Sequence, residues 1–542
     1  MPKQNILQSD YTQFPVYYQI KLPFELEKTI EADDPVRLLS AFVEGMDLSN
    51  LYATYGKIRK NQASPRQLLK IVIYAAMNGI RSSRGIERAC KRDINFMYLL
   101  EGMPVPDNTT IARFFSIHLS SCSKNIFAEA VCQLKDIGEI SGKTVFIDGT
   151  KIEACANKYT FVWKRAVTKN QEKLFDKISL FVAECENLYG IKTVYNGKIS
   201  ARTLKRLRKQ LMKIKKEESI TFVHGKGKRK TPLQRSVEAL DEYIDKIREY
   251  NYKLHTCGDR NSYSKTDHDA TFMRLKEDAM QNGQLKPAYN VQHAADAQYV
   301  TWVNVSQRPT DTLTLIPLLQ DMEVHLPFKY REILADSGYE SEESYVFIES
   351  NRQEAYIKPA NFEISKSRTY KADISRRENM DYDTESDTYT CKEGRKLTAV
   401  KESHKKTASG YQRTVTIYEC EDCTDCPCKS KCIKGNNCHT PLDERKKKLS
   451  VSRVYEEKRR ECLEGITTER GTLLRMNRSI QAEGSFAFIK EDMGFRQYLY
   501  RGKENVLTES IVAAFAYDIL KLHFKIQKNK TGIHLTELNQ TA

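Results

Sequence analysis

The sequence predicts an α/β protein, a mixed sheet flanked by helices, with a helical region before it and two insertions, one basic and helical and one rich in cysteine. Three observations carry this prediction. Residues 144–150 form a short apolar, β-branched and aromatic run that ends on Asp148-Gly149, the pattern of a strand buried on both faces. Residues 331–338 repeat the pattern and end on Asp336-Ser337-Gly338, and between the two lie β-rich runs at 286–293 and 299–305 joined by a tight connection at 295–297, a hairpin signal. Helical periodicity dominates the ends of the chain, in Leu68, Leu69, Ile71, Val72, Ala75 and Ala76 and again in Ile511, Val512, Phe515, Ile519 and Leu522.

The 542 residues exceed what one core serves, so two to four modules are expected. A net charge of +16, from 87 basic and 71 acidic residues, points to a polyanionic partner, nucleic acid before membrane. No apolar run approaches the roughly 20 residues of a membrane span, and residues 1–6 lack the layout of a signal peptide, so an intracellular protein is expected. Seven of the 14 cysteines fall between Cys391 and Cys438, which in a reducing compartment suggests a metal knuckle rather than disulfides.

In chain order, residues 1–35 read as a polar arm with Tyr11, Phe14, Tyr17 and Tyr18. Ser64-Pro65 is a helix start, and Asn108-Thr109-Thr110 a second one. Arg81, Arg84, Arg88, Lys91 and Arg92 between them fit either a DNA-reading helix-turn-helix or a plain bundle with a solvated face. Residues 164–263 are charged and mostly helical. Arg202, Lys205, Arg206, Arg208, Lys209, Lys213, Lys215 and Lys216 flank Leu204, Leu207, Leu211 and Ile214, giving an amphipathic helix with a basic face. A basic loop with Lys226, Lys228, Arg229 and Lys230 follows. The alternatives are a solvated helical pair and a clamp on a DNA backbone, and the one-sided charge favours the clamp, with Arg206, Lys209 and Lys213 as contacts. Helices at 313–322 and 341–350, a strand at 355–359, the cysteine segment, one long element from about 470 to 495, a final helix and a loose tail complete the chain.

Asp148-Gly149 alone could be a turn after a strand. If the strands ending at Asp148 and Asp336 are neighbours, however, the two carboxylates meet at one sheet edge, and a helix carrying Glu483 can add a third. Lys490 shares that helix face two turns on. Three hard oxygen donors so close need divalent cations, and Mg²⁺ (or Mn²⁺) fits them. Two such ions would support in-line attack on a phosphodiester. His268 and His293 stay outside the catalytic set, because a hairpin or loop histidine is more often structural. Trp302 and Tyr289 are assigned to core packing before base stacking.

Residues 147–154 (IDGTKIEA), 335–339 (ADSGY) and 481–490 (QAEGSFAFIK) together resemble the DDE transposases of bacterial insertion sequences, and the likeness covers nearly the whole chain. The resemblance implies an RNase H-like catalytic core with Asp148, Asp336 and Glu483 as the metal-binding triad and Lys490 touching DNA near the cut. It further implies cleavage and strand transfer on double-stranded DNA (terminal inverted repeats and target), a homodimer or larger assembly on DNA, and a cytoplasmic, nucleoid-associated bacterial protein. Relatives often carry a tyrosine and an arginine seven and four positions before the glutamate. This chain has Met476 and Ser479 there, with Arg475 and Arg478 beside them as substitutes for phosphate contact. An RNase H-fold nuclease that does not join strands, and a non-catalytic DNA-binding protein derived from a transposase, are the alternatives.

Cys420, Cys423, Cys426, Cys428 and Cys432, with Cys391 before them, have spacing that suits tetrahedral Zn²⁺; Cys391, Cys423, Cys426 and Cys432 are the expected ligands of a structural zinc. The expected division is 1–137 helical N-terminal domain, 138–163, 264–361 and 456–526 catalytic core, 164–263 basic insertion, 362–455 cysteine-rich insertion and 527–542 tail.

Overall fold

The structure, a computed structural model, describes residues 26–534 except 59, 196, 198, 226, 228, 276–282, 436, 437 and 439. The aromatic residues of the N-terminal arm, Lys226 and Lys228 of the basic loop, and the end of the tail lie outside the described residues.

Helix α1 (Pro65–Met77) begins as the sequence predicts. Ser64 accepts from the Gln67 amide while Gln67 answers the Ser64 N–H, a complete capping box. The second predicted start shifts by one residue: Asp107, not Asn108, caps the helix Asn108–Arg113, its carboxylate accepting from Thr110 N–H at 2.7 Å. A π-helical turn, Phe114–Leu119, then leads into α2 (Ser120–Asp136).

The mostly helical basic insertion consists of three helices, α3 (Lys164–Tyr189), α4 (Ala201–Glu217) and α5 (Pro232–Cys257). They close their own apolar cluster, with Ile178, Leu204, Leu211 and Leu240 at its centre. A two-stranded ribbon, Phe161–Trp163 with Ser262–Ser264, marks where the chain leaves and re-enters.

The main sheet contains β1 (Thr144–Glu153), β2 (Thr271–Arg274), β3 (Leu285–Asp296), β4 (Tyr299–Ser306), β5 (Glu332–Ala335) and β6 (Glu354–Ile357). Across it the order is β4-β3-β1-β5-β6, with β2 extending β4's side of β3. β3 runs antiparallel to both β4 and β1, whereas β5 and β6 run parallel to β1. The hairpin turn falls one residue later than predicted, at Ala297-Gln298, both with positive φ.

The first half of β1 is apolar from Val145 to Ile147 because both its faces are covered there. Phe146 packs with Leu334, Leu474 and Ala482 on one face, while Val145 and Ile147 face the large core that includes α1, α2 and the last helix. The long element predicted for 470–495 is broken into α6 (Glu469–Arg478), a π-helical turn (Ser479–Glu483) and α7 (Gly484–Glu491). Such a turn fits an extra residue into a helix and re-aims the side chains after it. The final helix α8 (Lys503–Gln527) is buried along most of its length against the N-terminal helices and β4. No helix among the described residues is long and apolar enough to cross a membrane.

The cysteine segment is more than a knuckle. Residues 381–451 form a five-stranded antiparallel sheet, with Tyr389, Leu397, Tyr418 and Leu449 among its buried residues.

Candidate active site

Ile147 on β1 sits opposite Ala335 on β5 in parallel register, so Asp148 and Asp336 lie side by side, about 5 Å apart at the backbone. β1 does not end at Asp148-Gly149 as the sequence suggests but runs on to Glu153 along β3, and only Asp336 follows the end of its strand. Asp148 shares a sheet face with Phe146 by strand alternation and so points toward α6 and α7. There the Arg478 guanidinium lies 3.8 Å from Asp148 Oδ1 and donates to Glu483 Oε1 at 2.7 Å. Arg478 thus stands between the first and third acids. Glu483 remains half exposed, at 52%, against 17% for Asp148.

Burial pushes Asp148 up to about 6; Asp336 and Glu483 add to the rise, while Arg478 and the Gly149 N–H oppose it. The Asp336 carboxylate is oriented by its own turn, accepting from Gly338 N–H at 2.8 Å. Lys490 is buried on α7, with its ammonium donating to Thr150 Oγ1 at 2.7 Å, two residues beyond Asp148. His293, paired with Asp148 across the ladder, stacks on Phe486 with centroids 3.9 Å apart. Burial pushes the imidazole down to about 3, so it is a neutral wedge between sheet and α7. Trp302 is fully buried and donates to Asp321 at 3.0 Å, and Tyr289 OH donates to Asp267 at 2.8 Å; both are core residues.

The structure adds Asp311, Asn290 and Gln292, which no sequence pattern singled out, around Tyr339 of the 335–339 motif. Asp311 Oδ1 accepts from Asn290 at 2.7 Å and from Gln292 at 3.3 Å, and Tyr339 OH donates to Gln292 Oε1. A Cβ on Gly338 would lie 3.0 Å from Asp336 Oδ1 and 3.3 Å from Asp311 Oδ2, so a fourth carboxylate borders the site. A Cβ on Gly149 would meet the Gln292 amide at 2.7 Å and Tyr339 OH at 2.9 Å. Gly149→Ala is therefore expected to push this buried network aside and to cost about 1–3 kcal/mol, measurable by urea unfolding; an unchanged midpoint would remove the packing argument.

The remaining predicted residues sit elsewhere. Arg475 lies over the Phe362 ring at 5.1 Å. Arg206, Lys209 and Lys213 are exposed on α4, with Lys213 3.4 Å from Glu217. Cys391, Cys423 and Cys426 all lie close enough to Cys432 to act on it electrostatically, and burial raises its thiol. Lys447 N–H donates to Cys423 Sγ at 3.4 Å. Among the described residues no group of three or more His, Cys, Asp or Glu side chains is drawn tightly enough to hold a metal ion.

Residues 390–523 match the family model described as Transposase DDE domain, and residues 24–116 match the one described as Transposase domain (DUF772). The first match contains Glu483 and Lys490 but neither aspartate; it is the sheet register that brings Asp148 and Asp336 to the same place. No curated protein and no solved structure matches the chain. The two transposase models, one matched toward each end of the chain, support a DDE transposase of an insertion-sequence family.

Proposed function

We propose that this transposase cuts DNA at the ends of its insertion sequence and joins them to a target, using Asp148, Asp336 and Glu483 on an RNase H-like core. The observation that carries the reading is the placement of Asp148 and Asp336 on neighbouring parallel strands, with Glu483 reached through Arg478. The strand order, three antiparallel strands followed by two parallel to the first, supports the RNase H-like assignment. The three carboxylates fit Mg²⁺ or Mn²⁺ by donor type, and the buried Asp148 gains most from a cation. Bound divalent ions would supply activation of a water or a 3′-hydroxyl and neutralise the leaving oxygen.

The chain's own residues do the positioning. Asp336 is pre-aimed by its turn, and Lys490 ties α7 to Thr150 on β1, two residues beyond Asp148. Arg478, freed from the acids by a bound cation, is in reach of a DNA phosphate, a natural partner for a guanidinium. Arg475 is a further phosphate contact beside it. Arg206, Lys209 and Lys213 on α4 bind the backbone of double-stranded DNA farther out, the helices of 1–137 contribute to recognising the terminal repeats, and two chains pair two ends. The domain division is that given by sequence, with the catalytic core assembled from 138–163, 264–361 and 456–526.

The test is incubation of the protein with labelled terminal-repeat DNA, target plasmid and Mg²⁺. Joined products support the transposase; nicked ends without joining favour a nuclease on the same fold, and salt-sensitive binding without cleavage favours a non-catalytic DNA-binding protein.

For the cysteines we propose a structural Zn²⁺ on Cys391, Cys423, Cys426 and Cys432. Metal analysis should return about one zinc per chain, and Cys426→Ser should lose it and lower the melting temperature. A full-length protein free of zinc and equally stable would contradict the site.

A further inference from the structure

The end of α8 carries a concave basic feature that none of the roles above uses. A cavity of about 330 Å³ is lined by Lys521, Lys525, Lys528 and Lys530, with Phe524 and Ile533 as its apolar wall. The acid facing it, Glu139, is already engaged: it pairs with Lys525 at 3.1 Å and accepts from Tyr299 OH and Gly532 N–H, both at 2.8 Å. Lys521, Lys525 and Lys528 follow at i, i+4 and i+7, so their ammonium groups crowd one face. Cations suit a helix C-terminus, but that preference does not explain why they line a hollow. Lys521 is lowered chiefly by burial, with Lys525 and Lys528 adding to it, the mark of a cationic cluster short of counter-charge.

The hollow is also built against a strained turn. Ala297 and Gln298 hold φ of 51° and 70°, a left-handed pair that Gly and Asn take far more easily. Four residues pin it. Lys521 donates to Gln298 Oε1 at 2.5 Å, Lys525 to Ala297 O at 3.1 Å and Tyr517 OH to Gln298 O at 2.9 Å. On the other side, Gln298 N–H donates to Gln481 Oε1 at 2.6 Å, and Gln481 lies in the π-helical turn that ends on Glu483.

We propose that this hollow is a phosphate-binding site, and that on DNA it takes a backbone phosphate away from the reacting strand, one hydrogen-bonded turn from the segment carrying Glu483. The DNA source rests on the transposase reading; the phosphate chemistry does not. The triple variant Lys521→Gln, Lys528→Gln, Lys530→Gln removes the cations that make no ion pair among the described residues and keeps Lys525, which Glu139 needs. A control with equal charge loss on the cysteine-segment sheet is Lys401→Gln, Lys405→Gln, Lys406→Gln.

Full-length proteins are compared by thermal shift with pyrophosphate and by duplex DNA binding across a salt series. Pyrophosphate is expected to stabilise wild type and control but not the triple variant. The slope of log affinity against log salt is expected to fall by about 2–3 in the triple variant, with binding on the order of 10-fold weaker near 0.1 M salt. Loss of the pyrophosphate response with an unchanged DNA slope assigns the site to a free phosphate compound. A wild type that ignores pyrophosphate, together with a triple variant whose slope matches the control, overturns the proposal. The pyrophosphate arm needs no DNA, so a failure of the transposase reading is seen separately.

Discussion

Asp148→Asn is expected to abolish metal-dependent strand cleavage, by ~10³-fold or more, and at the same time to stabilise the metal-free protein at alkaline pH. Loss of activity follows from the proposed role, because the amide cannot replace a buried anionic oxygen facing a cation. The stability gain follows from the raised ionisation of the native acid. Its folded value is about 6 against an ordinary 3.8, so the fold favours the protonated form. That contribution is complete below pH ~4 and is lost as pH rises through about 6, where the folded protein must carry a buried anion. The difference corresponds to roughly 3 kcal/mol at most. Asparagine is neutral throughout. Urea unfolding with EDTA should therefore show the variant gaining on wild type between pH 5 and pH 8, and a variant that is less stable at pH 8 would contradict the electrostatic account.

Arg81→Ala should produce the largest loss of stability. Arg81 leaves the N-terminal helical region and donates to Glu509 on α8 at 2.5 Å, as well as to the carbonyl of Gln497. Glu509 is buried and also accepts from the N–H groups of Leu499 and Tyr500. The 494–500 segment so held completes the end of β1, since Tyr498 N–H donates to Glu153 O at 2.9 Å. Removing the guanidinium strands a buried carboxylate, with a cost of about 3–5 kcal/mol. The double variant Arg81→Met, Glu509→Gln should recover much of this in equilibrium unfolding, because it removes the uncompensated charge and keeps an acceptor oxygen for the Leu499 and Tyr500 N–H groups. If the single variant unfolds at the wild-type urea concentration, the pair does not tie the N-terminal helices to the core.

What the sequence made legible follows from covering both faces of the first half of β1. A strand segment in that position must be apolar, so Val145, Phe146 and Ile147 announce it and Asp148 stands out. The same contrast marks β5 and Asp336. Ser64-Pro65 discloses a helix start because an N-cap side chain and a proline act on the backbone beside them. Glu483 could be placed on a helix, but the π-helical turn Ser479–Glu483 that it closes could not, since the i→i+5 hydrogen bonding that sets such a turn apart leaves no local mark in the residue pattern.

Features that arise from register stayed hidden. Asp311, Gln292 and Tyr339 lie far apart in sequence and meet only once β3 aligns with β1 and Gly149 opens the space. Likewise, nothing local indicates that Arg478 will stand between two acids. The sheet at 381–451 was masked by lysine and glutamate on its exposed face, although Val415, Tyr418 and Cys420 on the strand Gln412–Cys420 are buried.

Direct titration with Mn²⁺, followed by electron paramagnetic resonance on the full-length protein, addresses the convergence of the acids with no reliance on DNA or turnover. Wild type should bind Mn²⁺ in competition with Mg²⁺, and Asp148→Asn, Asp336→Asn and Glu483→Gln should each weaken that binding by ~10-fold or more. Wild-type affinity retained in the Glu483→Gln protein would show that the third acid does not join the other two.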